Sequence, residues 1–173
     1  MKRFAFLPVV VGTLAGVVAS LALASGHAAA PIFGGTLPPG YRDWKLISVA
    51  HEEGKLNDLR AILGNDVAIK TYREGKVPFP DGTIIARLAW SYDSSEENNK
   101  IFGRSQCFVA GPPTNVQFMV KDSKKFASTG GWGFGHFNER DGKKPGDAAL
   151  LKNCFACHQK AKDSDLVFTR YAP

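Results

Sequence analysis

Thr83-Ile84-Ile85-Ala86-Arg87-Leu88-Ala89-Trp90-Ser91-Tyr92 is the clearest β-strand in the chain. Its β-branched and aromatic residues suit a pleated, half-buried surface, and Phe79-Pro80-Asp81-Gly82 is the turn that leads into it. Towards the N-terminus, residues 44–49 and 59–63 read as strands of the same kind. Between them and the quoted stretch, Asn65-Asp66 is a cap for a helix over residues 67–74 that stops at Gly75. Towards the C-terminus, residues 94–99 read as a polar loop, and residues 106–110 and 116–120 as two strands parted by Gly111-Pro112-Pro113. Asp122-Ser123 caps a short helix through Ala127, and residues 132–137 form a glycine-rich aromatic strand. Asp147 caps a last helix that runs through Leu150 and Leu151 to about Lys160. The pattern predicts an α+β fold, mainly antiparallel sheet with a few short helices.

That last helix carries Asn153-Cys154-Phe155-Ala156-Cys157-His158, and C-x-x-C-H is the attachment signature of c-type haem. Two cysteines three residues apart can meet the two vinyl groups of one porphyrin, and the next histidine then lies under the iron. A zinc site from Cys154, Cys157 and a distant His136 would lack a fourth ligand. A thioredoxin-like redox pair lacks its fold context. Small electron carriers usually place the motif early and a methionine ligand well after it. Here 15 residues follow His158, and none is methionine or histidine. A four-helix bundle could carry the motif late, but the strand-rich body argues against one.

Met1-Lys2-Arg3 followed by an uncharged apolar run from Phe4 to Ala24 has the layout of a secretory signal peptide over residues 1–30. Cleavage after Ala28 suits the small-residue rule, and Pro31 disfavours cleavage after Ala30. The run has 21 residues, and roughly 20 span a bilayer, so an uncleaved anchor is the alternative. Either outcome places residues 31–173 outside the cytoplasm as one domain. With Lys2 and Arg3 gone, the formal charge falls from +6 to +4, without a polybasic block. That balance argues against nucleic acid and suits an acidic redox partner or plain solubility. Cys107, left over from the motif, sits in an apolar stretch and is expected to be buried in a strand, with an intermolecular disulfide as the alternative.

Three residues outside the leader could offer a sixth iron ligand. His51 lies in a polar run and reads as a surface residue, His136 as a packing or hydrogen-bonding residue, and Met119 as core. Phe108, Phe118, Trp132, Phe134 and Phe137 could wall an apolar pocket suited to small neutral diatomics such as NO and CO. Arg60 and Arg87 are the polar candidates, either solvated, paired with haem propionates or hydrogen-bonding a distal ligand.

Several segments in order resemble the cytochrome P460 family, which includes the β-sheet cytochromes c′. They are Tyr41-Arg42-Asp43-Trp44, Leu59-Arg60, Asp81-Gly82-Thr83, Val120-Lys121-Asp122-Ser123-Lys124-Lys125-Phe126-Ala127, Trp132-Gly133-Phe134, the haem motif, and Val167-Phe168-Thr169-Arg170-Tyr171. The resemblance spans nearly all of residues 31–173. It implies a homodimer with one covalent haem c per chain, a five-coordinate iron and an open distal face. In members that oxidise hydroxylamine, a lysine on the strand after the Asp-Gly-Thr turn is cross-linked to the porphyrin, and a distal carboxylate precedes Lys-Asp-Ser-Lys. The matching positions are Arg87 and Gln117. A guanidinium stays protonated and is a poor nucleophile, and an amide cannot act as a base.

The expectation is therefore a periplasmic monohaem c-type cytochrome whose open iron binds or redox-processes small nitrogen species such as NO. His158 is the expected iron ligand, Cys154, Cys157 and Arg60 are further haem-binding residues, and Arg87 and Gln117 are distal candidates. NO, CO or hydroxylamine, a redox protein and a second copy are the expected partners. The alternatives are a hydroxylamine or NO oxidoreductase with a cross-linked haem, and a plain electron-transfer cytochrome c with six-coordinate iron.

Overall fold

A computed structural model describes residues 32–138 and 148–172, with the side chains of residues 148–151 undescribed. The expected leader, its cleavage point and the Asp147 cap lie outside the described residues. Five strands form one antiparallel sheet in chain order: β1 (Lys45–Glu52), β2 (Asp58–Gly64), β3 (Ile84–Ser94), β4 (Phe108–Lys121) and β5 (Trp132–Asn138). Helix α1 (Asp66–Arg73) joins β2 to β3, α2 (Glu96–Phe102) joins β3 to β4, and α3 (Ala148–His158) follows β5. The α+β reading therefore holds, with a C-terminal helix bearing the cysteine motif.

Side chains alternate across each strand, so the sheet has two distinct faces. On the first, Ile62, Ile85, Met119, Trp132 and Phe134 pack with Ile47, with Ala68 and Ile69 of α1, and with Leu166 and Val167 near the C-terminus. On the second, Leu63, Ala86, Leu88, Val116, Phe118 and Phe137 pack beneath Ile32, Tyr41 and Phe126. β5 shows why its pattern is glycine-rich. Trp132, Phe134 and His136 face one way, while Gly133 and Gly135 leave room on the other. A Cβ on Gly133 would meet the Phe126 ring at 2.4 Å, and one on Gly135 would meet Ile32 Cδ1 at 2.4 Å. Helix α1 starts where its sequence says, because Asn65 Oδ1 accepts from the Ala68 N–H at 3.0 Å.

Four expectations need correction. Residues 106–110 and 116–120 are not two strands but belong to one 14-residue strand, β4. Its register slips around Ser91, with Trp90 opposite Pro113 and Tyr92 opposite Ala110, so Gly111-Pro112 forms a bulge. Among the described residues β5 pairs with β4 from Asn115 onward, and the prolines fall beside the bulge, a position where the sheet tolerates a missing N–H. The polar loop at residues 94–99 gives way to α2, with Ser95 Oγ accepting from Asn98 N–H and Gly103 ending the helix at φ 68°. Asp122 caps a turn rather than a helix: its Oδ1 accepts from the N–H groups of Lys124 and Lys125, and a single 3-10 turn follows at Ala127–Thr129. Cys107 lies one residue before β4 and is half-buried, with its N–H donated to Asn99 Oδ1 at 2.7 Å.

Candidate functional site

A cavity of about 510 Å³ opens between the first face of the sheet and the C-terminal segment. That falls within the range of ligand sites, roughly 300–1,000 Å³. Cys154, Cys157, His158, Arg60, Arg87 and Gln117 all line it, so the fold brings these six to one place. Cys154 and Cys157 are neighbours on one face of α3, three residues apart, and neither is in a disulfide. Burial raises the Cys154 thiol above its ordinary pKa and keeps it protonated.

His158 ends α3, and its Nδ1 lies 2.7 Å from the carbonyl oxygen of Leu166. A carbonyl can only accept, so Nδ1 carries the proton and donates it. Nε2 is then left with its lone pair free, the tautomer that a metal ligand needs. Burial pulls the ring below its ordinary pKa, partly opposed by the Leu166 carbonyl, and so keeps it neutral at pH 7. Phe134 and Phe168 flank the imidazole, with ring centroids 5.1 and 4.9 Å away. Its orientation is thus set by one hydrogen bond and two aromatic walls.

The donor set fits a haem attached through the two cysteines. Two thiols and a neutral imidazole of defined tautomer meet a lining that includes Ile62, Ile85, Met119, Phe134 and Val167. Of the three candidate sixth ligands, Met119 lines this cavity. His51 is exposed instead, with Nε2 3.1 Å from Asn57 Oδ1 and its ring stacked 3.9 Å from that of Tyr92. His136 hydrogen-bonds Gln117, as expected of a polar packing residue.

The sheet wall is more polar than the aromatic set alone suggests. Arg87 on β3 faces Gln117 on β4, which faces His136 on β5, so the three form one row across the sheet. Burial, and then the charge of Arg87, hold His136 below its ordinary pKa. The neutral ring accepts the Gln117 amide N–H at Nδ1, 3.3 Å away. Arg87 donates to Asp58 and, at 2.9 Å, to Asn115 Oδ1. Arg60 donates to the other oxygen of Asp58 at 2.7 Å and pairs with Glu52. Neither arginine is simply solvated: both side chains are only 16% exposed. Burial, then the neighbouring Arg60, lowers the Arg87 pKa, and Asp58 opposes both.

Among the five aromatics expected near the pocket, Phe134 presents its ring to this face. Phe118 touches the lining, but its ring belongs to the opposite core, edge-on to Phe33, Tyr41 and Phe137. Trp132 and Phe137 are buried in the two cores, and Phe108 is exposed, stacked on Tyr92 at 4.3 Å. Sequence reasoning missed Asp58, the 3% exposed carboxylate that ties Arg60 to Arg87. Strand alternation could have found it, because Asp58 lies two residues from Arg60 on the same face. The Leu166 carbonyl, a backbone group brought round by a turn, had no such signal.

Compared with known families, residues 38–169 match the model described as Cytochrome P460. No curated protein matches the chain.

Proposed function

The chain belongs to the cytochrome P460 family of haem cytochromes, and from that premise we propose a periplasmic monohaem c-type cytochrome that binds NO or a related small nitrogen species. Cys154 and Cys157 would hold the porphyrin, His158 would bind its iron through Nε2, and the leader over residues 1–30 exports the chain. One observation above all supports this reading: His158 donates Nδ1–H to Leu166, beside both cysteines, on the wall of one cavity. A haem bound there supplies an iron that coordinates small ligands and exchanges electrons with them.

The chain's own residues set what approaches that iron. Ile62, Ile85, Met119 and Phe134 admit small neutral molecules and discourage bulk water. Arg87 and Gln117 add N–H donors that favour a ligand with an acceptor end, such as NO or hydroxylamine. Hydroxylamine oxidation is disfavoured, because Arg87 is held protonated by Asp58 and Gln117 cannot take up a proton. Arg60 has one edge engaged by Asp58 and Glu52, and it reaches a propionate only with its remaining N–H groups. An acidic redox protein and a second copy of the chain complete the proposed partners.

Met119 favours one second reading, because it lines the cavity that His158 lines and thioether sulfur is an axial ligand in electron carriers. Titration of the purified ferrous protein with NO and CO, followed by hydroxylamine oxidation with an artificial acceptor, tests the proposal. Stoichiometric binding of both gases without hydroxylamine turnover is expected. Failure to bind either gas would favour Met119 ligation, and sustained turnover would favour the oxidase.

A further inference from the structure

Lys121, from the Val120–Ala127 segment that resembles the family, has no part in the site so far. Its side chain is buried, with Nζ 2.8 and 2.9 Å from the two carboxylate oxygens of Asp165. The ammonium also donates to the Gly130 carbonyl at 3.2 Å and sits 4.9 Å from the centroid of the Trp132 ring. Asp165 Oδ2 accepts the Phe79 N–H at 2.8 Å, which ties the loop before β3 to the same carboxylate. Lys121 and Asp165 do not themselves line the cavity. A buried ion pair gives little net stability over well-packed apolar residues, so geometry is the better place to look for its role.

Asp165 and Leu166 lie at φ 53° and 66°, consecutive left-handed residues that are not glycine. Side chains avoid this region, and such turns persist where their surroundings hold them. Here the turn ends the 3-10 segment Gln159–Ser164 and sends the chain back, so that the Leu166 carbonyl meets His158 Nδ1. The carboxylate that Lys121 grips belongs to the first residue of that turn.

We propose that the Lys121–Asp165 pair is a positioning device for the axial ligand: it clamps the turn and so sets the strength of the Leu166–His158 hydrogen bond. The proposal rests on His158 being the axial ligand. A histidine whose Nδ1–H meets a well-placed acceptor is a more basic donor to metal through Nε2. Loosening the turn therefore weakens the iron–histidine bond, although neither Lys121 nor Asp165 lines the cavity.

Resonance Raman spectra of the ferrous, CO-free holoprotein read this bond directly through the iron–histidine stretching frequency. Lys121→Met and Asp165→Asn should each move it to lower frequency, and the double variant should move it no further than the larger single shift. Lys121→Arg should restore the wild-type value. The two single variants remove charges of opposite sign, so a direct field effect would drive their midpoint potentials and frequencies apart, whereas loss of the clamp moves both frequencies together. Asp165→Asn keeps one acceptor for Phe79, and the double variant leaves no unpaired buried charge, so these carry the test if Lys121→Met does not accumulate. Unchanged frequencies, or shifts of opposite sign, in folded haem-loaded variants would overturn the clamp. His158→Ala separates the premise: an unaltered iron–histidine band in that variant would sink the ligand assignment itself.

Discussion

Replacing Asp58 with asparagine removes the carboxylate that holds two arginines to the sheet wall of the cavity. Asp58 is 3% exposed, and it receives Arg60 Nε on one oxygen and Arg87 on the other. Breaking a buried pair by deleting one partner costs about 3–5 kcal/mol, because a charge is left uncompensated. Arg60 keeps Glu52, a half-exposed partner, so the lower end applies. Arg87 keeps the Asn115 amide, which does not neutralise it. A loss of about 3 kcal/mol corresponds to a fall of about 9 °C in Tm for a domain of this size. Thermal unfolding of the holoprotein by far-UV circular dichroism measures it. Asp58→Asn, Arg87→Met and their combination form a cycle in which the double variant should recover at least about 1 kcal/mol relative to the sum of the singles. A loss below about 1 kcal/mol in Asp58→Asn, or strict additivity, would refute the view that this carboxylate organises the wall.

Gly135→Ala places a methyl 2.4 Å from Ile32 Cδ1 and 3.0 Å from Phe137, so overpacking should cost about 1–3 kcal/mol in urea unfolding. Unchanged stability would mean that residues 32–35 do not pack as described. His136 is held below its ordinary pKa of 6.5, so between its folded value and 6.5 the unfolded chain binds more protons. Stability should therefore rise with pH through that window, and His136→Gln should flatten the slope of urea midpoint against pH; an identical slope in the variant contradicts the assignment. Asn99 Oδ1 accepts the N–H groups of Gln106 and Cys107, and its Nδ2 donates to Ser94. Asn99→Ala should cost about 1–2 kcal/mol and speed amide exchange at residues 106 and 107. Protection at those amides equal to wild type would count against this role of Asn99.

Elements whose signals are local were legible. β2 and β3 announce themselves by β-branched residues, α1 by Asn65, and β5 by aromatics alternating with glycines. α2 escaped because it buries no residue and so has no apolar stripe, although Ser95 and Gly103 are ordinary cap residues. β4 reads as two strands because proline normally breaks a ladder, and only the bulged pairing with β3 carries it through as one. The bulge that seats Gly111-Pro112 opposite Ser91 of β3 is a long-range fact that no window around Pro112-Pro113 contains. The site follows the same division. Cys154, Cys157 and His158 carry their spacing in the sequence, whereas Asp58 and Asp165 matter through contacts with residues far away in the chain, and the Leu166 carbonyl through a backbone turn that brings it back to His158. Arg87 and Gln117 stand 30 residues apart in the sequence, and the β3–β4 register makes them direct neighbours.

The optical spectrum of the purified ferrous protein, before any ligand is added, tests the open-site reading most directly. With His158 alone on the iron and Met119 kept as wall, a broad five-coordinate high-spin Soret band is expected. Sharp, split bands of a six-coordinate low-spin iron would contradict it.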